Sequence, residues 1–398
     1  MNDVIKKIFN EVKQKDDDIF LASTIKTALN LVRQNPDVTN EIHSIISYTL
    51  EKGGMATIYA ASEAFGQFAD DLPDRILSLF INYLPKICHA REHSLWSIDK
   101  GLNSLFKKDS EIAISTLESL LISGRDSCKI KVLNTTTHTI LKNKAILNHL
   151  IVRWFLSGNP ALCSAIYEII STASTAHENQ LELEVLPDSL PQQDPNILIF
   201  LARKAIGFLF TRPVTATSII LSLIRLSDSK ETKNELRNYI FEFLLMNYTG
   251  SVKEYLEKKS SEASDEVSKI IRQLLEHYET YIEQLKSIGD IPELHPSTIQ
   301  QQEYMRKINR EFTEAHKEAM KGSLVEQLFK KSVILYGNAS IFHVKGKVSD
   351  TPNRMEVPMH QISVSTEFPR QLYFDPIGLD YRLRVFRAER IIKHEADY

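Results

Sequence analysis

Between Leu72 and Gly124 the sequence runs LPDRILSLFINYLPKICHAREHSLWSIDKGLNSLFKKDSEIAISTLESLLISG, three short amphipathic segments laid end to end. Ile76, Phe80, Tyr83 and Ile87 form the apolar stripe of the first, and Leu95, Ile98, Leu102 and Leu105 that of the second. Leu117, Leu120 and Leu121 anchor the third. Steps of three and four place each set on one face of a helix. A helix this short cannot hide its stripe alone, so it must lean on its neighbours.

The same pattern extends in both directions. Asp17 or Asp18 can cap a helix with Phe20, Leu21, Ile25, Leu29 and Val32 inward, stopped at Asn35-Pro36. Ile42, Ile45, Ile46 and Leu50 mark the next, ended by Gly53-Gly54. Paired, these helices make units starting near Asp18, Met55, His93 and Asp126, in steps of 37, 38 and 33 residues. Together with the Pro73-Asp74-Arg75 helix entry, that period resembles HEAT and armadillo-like helical repeats. The resemblance is one of architecture. It implies an α-solenoid and carries no substrate, because residue identities do not recur from unit to unit.

The expected fold is therefore mainly α: an array of antiparallel helix pairs over 1–250, crossed by a polar, proline-bearing loop at 174–195. The helix Ile197 to Phe210 is apolar nearly all round and is expected to be the most buried. Residues 251–330 carry two heptad seams, Val267 to Ile288 and Met305 to Ala319, around a proline-containing break, which predicts a long antiparallel helical hairpin. From Ser332 the period falls to two, so 331–398 is expected to be a small strand-rich cap, an antiparallel sheet of two or three strands ending in a basic helix.

Net charge is -3, so no global basic field points to nucleic acid. The three cysteines, Cys88, Cys128 and Cys163, are far apart in apolar helical context and read as reduced thiols. No secretory signal and no membrane-length apolar run is found, which places the chain in the cytoplasm with no membrane partner. P-loop, dinucleotide-binding, nucleophile-elbow and C-x-x-C patterns are all missing, and no cofactor is called for.

Two clusters carry possible chemistry. His89-Ala-Arg-Glu92-His93 has the H-x-x-E-H order in which two histidines hold Zn²⁺ and the glutamate activates water. Glu168, 75 residues beyond His93, stands where the third ligand stands in insulinase-like zinc peptidases, a resemblance that implies a metal-dependent hydrolase. Those enzymes carry the motif in an α/β domain, whereas here it straddles two array helices, which favours an exposed turn. Arg382, Arg384, Arg387 and Arg390 form the second cluster, either an anion-binding surface or a docking helix whose arginines pair with carboxylates such as Glu182 and Glu184. Both tryptophans, Trp96 and Trp154, are expected to pack inward. The reading favoured by the whole is a non-enzymatic scaffold for a macromolecular partner, protein rather than nucleic acid, for example one component of a multiprotein system. A metal hydrolase and a nucleic-acid binder using the C-terminal arginines are the alternatives.

Overall fold

The computed structural model describes residues 10–14, 17–87, 92–124, 129–172, 181–262 and 266–288, single positions between 303 and 314, and residues 367 and 369–390. The chain falls into two compact units, Met1–Tyr278 with Ile377–Tyr398, and Glu279–Pro376.

In the first unit, α1 (Asp18–Gln34), α2 (Thr39–Lys52), α3 (Met55–Phe68), α4 (Asp74–Ile87), α5 (Glu92–Lys108) and α6 (Ser110–Gly124) follow one another closely. Then come α7 (Asn134–Lys142), α8 (Lys144–Ser157) and α9 (Pro160–Thr172). After the extended segment 181–186 the chain forms α10 (Pro195–Leu209), α11 (Pro213–Leu226), α12 (Lys230–Tyr239), a π-helical turn at Ile240–Leu245, α13 (Ser251–Glu262) and α14 (Glu266–Ile288). Near the C-terminus lie α15 (Gln371–Phe374) and α16 (Pro376–Ala388).

Local chemistry sets the ends. Asp17 is the N-cap of α1, its carboxylate accepting from Phe20 N, and Asn143, Asp194 and Ser229 do the same for α8, α10 and α12. Prolines open α10 and α11, where a missing N–H is no loss. Gly158 ends α8 at φ 64°, a left-handed conformation that favours glycine.

The stripes read from the sequence are the core. Ile76, Phe80, Ile98, Leu102, Leu105 and Leu117 are completely buried. Helices α1, α3, α5 and α7 pack successively side by side, and α2, α4 and α6 do so in a second row beneath them. Two glycines let the first row close up. A Cβ on Gly66 would stand 2.6 Å from the Ser97 carbonyl oxygen, and one on Gly101 would run into Phe65. Many packed helices are thus the fact of this fold, and their arrangement is compatible with a helical-repeat architecture.

A ladder of polar bonds joins residues 35 to 39 positions apart. Asp18 accepts from the main-chain N–H groups of Gly54 (2.6 Å), Ala56 (2.7 Å) and Thr57 (3.1 Å), so the first turn of α1 caps α3. Asp99, buried in α5, does the same for α7 through Thr135 and Thr136, both at 2.8 Å. Glu118 of α6 accepts from the Trp154 indole of α8 at 2.7 Å. Further along, Asn148, Ser218 and Ser222 accept from the backbone of Glu184, Leu183 and Val185, so segment 181–186 is bound between α8 and α11 with Leu183 and Val185 buried.

One expectation needs correction. The described residues contain no strand, so the mixed description with a C-terminal antiparallel sheet is replaced by a mainly α one. Within 331–398 the described elements are two helices, α15 and α16, and the strand-patterned run from Ser332 to Thr366 lies outside the described residues. A period of two records only where side chains alternate; it does not supply the partner strand that a sheet requires. The return helix of the expected hairpin, Met305 to Ala319, also has its seam residues outside the described set.

Candidate functional site

The row α1–α3–α5–α7 turns one polar-looking stripe per helix to solvent. On α1 it is Ile19, Ser23, Lys26 and Asn30; on α3, Met55, Tyr59, Glu63 and Gln67. On α5 it is Trp96, Lys100, Asn103 and Lys107; on α7, Asn134, His138 and Lys142. Each set steps by three or four and is exposed or half-buried. The ladder fixes how the stripes align: Asp18 lies under Ala56, Gly101 abuts Phe65, and the Thr139 hydroxyl donates to Asn103 at 2.6 Å. A residue is therefore level with one about 36 positions later. Tyr59 and Trp96 form one level, and Lys26, Glu63 and Lys100 form the next, one helical turn below.

The upper level is apolar and open. Trp96 and Tyr59 are exposed on it, and one turn above them Ile19 and Met55 are exposed as well. The expectation that both tryptophans pack inward holds for Trp154, which is buried, and fails for Trp96. The reason was in the spacing: 96, 100, 103 and 107 trace the polar stripe of α5, opposite Leu95, Ile98, Leu102 and Leu105. The lower level sets Glu63 between Lys26 and Lys100, and Lys107 and Lys142 are exposed further down. These four lysines form no ion pair among the described residues, and Glu63 accepts a hydrogen bond from Tyr59 that raises the phenol's pKa. Between α1 and α3 a cleft of about 360 Å³ is lined by Ser23, Lys26, Asn30, Glu63, Gln67 and Phe68.

Of the C-terminal arginines, Arg382 and Arg387 contact other elements of the protein. Helix α16 lies on α10 and α12. Arg387 Nε donates to the Gly207 carbonyl and the guanidinium sits over Phe208. Arg382 lies over Phe243, and Arg384 pairs with Asp380 one turn back at 2.8 Å. Arg390 is exposed and runs past Gly158. The carboxylates Glu182 and Glu184 pair instead with Lys259 and Lys144. At the centre of the seam Arg203 bridges Glu389 (2.9 Å), Glu235 (3.2 Å) and the Tyr239 hydroxyl (2.6 Å), contacts that outweigh the burial cost and raise its pKa. Burial, with the bond to Glu235, pushes the Tyr239 phenol up to about 12.

Compared with protein-family models, with curated proteins and with solved structures, the chain matches none.

Of the zinc-peptidase pattern, His89 lies outside the described residues, between helices that end at Ile87 and begin at Glu92. Glu92 and His93 open α5. Glu168 is half-buried on α9. Among the described residues no three His, Cys, Asp or Glu side chains gather as a metal ion would need, and no helix is long and apolar enough to cross a membrane. Sequence reasoning missed the pairing of Tyr59 with Trp96 because they come from two different helices. Only the 36-residue alignment brings them together.

Proposed function

We propose that this chain is a non-enzymatic helical-repeat scaffold, and that the solvent face of α1, α3, α5 and α7 holds a macromolecular partner, a protein rather than a nucleic acid. One observation carries the reading: an indole 69% exposed, level with exposed Tyr59 on the neighbouring helix and one turn from Lys100, which forms no ion pair among the described residues. Isolated exposed apolar residues need no explanation, but a level of them across successive helices marks an interaction surface. Trp is also among the residues that dominate binding energy at interfaces. Helices stacked in register make an extended wall, which suits a long partner better than a small molecule.

Photo-crosslinking in the cell of origin tests this. With benzoylphenylalanine in place of Trp96, a discrete adduct should form; with the same group in place of exposed Asn82 on α4, it should not. No adduct specific to position 96 would overturn the reading.

A further inference from the structure

We infer that this chain pairs with a second copy of itself through the outer side of α16, in an antiparallel two-fold contact centred on Tyr381. The inference is independent of the proposed binding face around Trp96.

Helix α16 has two apolar sides. On the inner one Leu379 and Leu383 are buried, and the Phe386 ring lies 6.1 Å from that of Tyr239 and 5.3 Å from that of Phe243. That side is already held down by the bonds of Lys204 and Arg387 across the seam. The outer side carries Ile377, Tyr381 and Val385, which are 82%, 68% and 45% exposed. No other helix bears more than two of the exposed large apolar side chains among the described residues. Steps of four set the three on a single ridge about 12 Å long. A continuous apolar row on one helix marks a contact surface, whereas scattered exposure needs no explanation.

Charge selects what covers the ridge. Beside it Asp380 and Arg384 pair with each other at 2.8 Å, so the flank is electrically balanced. The neighbouring arginines are drawn inward, Arg382 over the Phe243 ring and Arg387 to the Gly207 carbonyl. An anionic bilayer or an acidic partner therefore meets little net positive charge next to the ridge. A second copy of the same face is complementary to it. With two α16 helices antiparallel about a two-fold near Tyr381, Ile377 meets Val385 of the second copy, and Asp380 comes within reach of Arg384 of the second copy. A parallel pair would instead set Asp380 against Asp380 and Arg384 against Arg384. The charges thus fix the sense of pairing, and every contact is made twice, as an isologous interface requires.

Geometry and area agree with this. Ridges built on steps of four interlock at a crossing of about 50°, which confines contact to about two turns, the length of this ridge. The exposed parts of Ile377, Tyr381 and Val385 with their flanking ions offer roughly 500 Å² per copy, about 1,000 Å² in the pair, which is the lower bound for a specific interface. The dimer is accordingly a weak one, forming between about 10 and 100 µM.

Sedimentation velocity of the full chain from about 1 to about 200 µM tests the inference. Wild type should pass from monomer to dimer over this range, and Trp96→Ala should follow it. Tyr381→Asp, at an exposed position, should raise the dissociation constant at least tenfold. Asp380→Arg and Arg384→Asp should each do the same, because each sets like charges opposite one another. Mixed one to one, these last two variants should pair with each other as wild type does, since every flank contact between them joins opposite charges. Recovery on mixing excludes misfolding as the cause of the single losses. A chain monomeric throughout overturns the inference, as does a dimer that survives Tyr381→Asp, one lost with Trp96→Ala, or charge variants that stay apart when mixed. Flotation with vesicles of phosphatidylserine and phosphatidylcholine is run in parallel. Binding to them that needs Tyr381, by a chain that remains monomeric, would give the ridge to a membrane surface and overturn self-pairing.

Discussion

Lys204, in the middle of α10 and only 1% exposed, donates its ammonium proton to the main-chain oxygen of Arg387 at 2.7 Å, across 183 residues of sequence. Burial lowers its pKa, against the pull of Cys163 and Glu389. The ammonium lies 5.2 Å from the Phe200 ring and 5.9 Å from the Phe208 ring while bonded to a carbonyl of α16. A buried ammonium needs such an acceptor, and α16 provides it.

Replacing Lys204 by Met keeps the stem and removes the charge. The lost charge-assisted bond, about 1.5–3 kcal/mol, is largely offset by relief of the buried charge. Global melting should therefore change little while α16 loosens. Hydrogen exchange of the amides of Asp380 to Ala388 should accelerate about tenfold, and unchanged exchange would show that the bond does not hold this helix.

Acid should test the cross-helix caps. Burial pushes the Asp18 carboxyl up, but the Thr57 hydroxyl and the N–H groups of Ala56, Thr57 and Gly54 outweigh it and hold the carboxyl below its ordinary 3.8. A depressed folded pKa means that the stabilisation is present above the unfolded value and is lost as pH falls through the folded one. The stability gap between wild type and Asp18→Asn should thus be constant near neutrality and close on acidification below about 4. Chemical denaturation at a series of pH values reads it; a gap that widens in acid would contradict the geometry.

Cys163 titrates at the other end of the scale. Burial pushes its thiol from 9.0 up to about 11, with Lys204 pulling the other way. A raised folded pKa gives stability fully present below the unfolded value and lost as pH rises through the folded one. The advantage of wild type over Cys163→Ala should hold up to pH 9.0 and shrink between there and about 11. Iodoacetamide should leave the native thiol unmodified at neutral pH and label it on unfolding.

Gly66→Ala offers a check on the first row of helices. The new methyl would press on the Ser97 carbonyl at 2.6 Å, a main-chain atom that cannot swing away. A loss of about 1–3 kcal/mol is expected, the range for overpacking a tight contact. Thermal melting measures it; a stabilised variant would mean that α3 and α5 are further apart than described.

Helix positions were legible because each helix carries its own record. Phe80 and Ile98 sit on stripes that repeat every three or four residues, and both are fully buried. Asp17 caps the helix that follows it, as its place in the sequence predicts. Asp18, one residue on, caps a helix 36 positions away, and no local pattern records that. Trp96 shows the same divide. Its helical phase put it on the polar side, yet residue type argued for the core, and phase won. Its pairing with Tyr59 exists only once the register between α3 and α5 is known. Residues 332–366, where alternation was read as strand, lie outside the described residues, and the helices described beyond them are α15 and α16.

The bond from α10 to Arg387 also gives the chain an order of completion. Rungs of about 36 residues can close as the polypeptide emerges, each needing only the next pair of coils. Lys204 must wait for nearly two hundred further residues before its oxygen arrives. A ribosome that stops short of Pro376 would release a product whose early turns are wound and whose buried ammonium has nothing to hold. That leaves a defect in α10, 183 residues before the carbonyl that would have filled it.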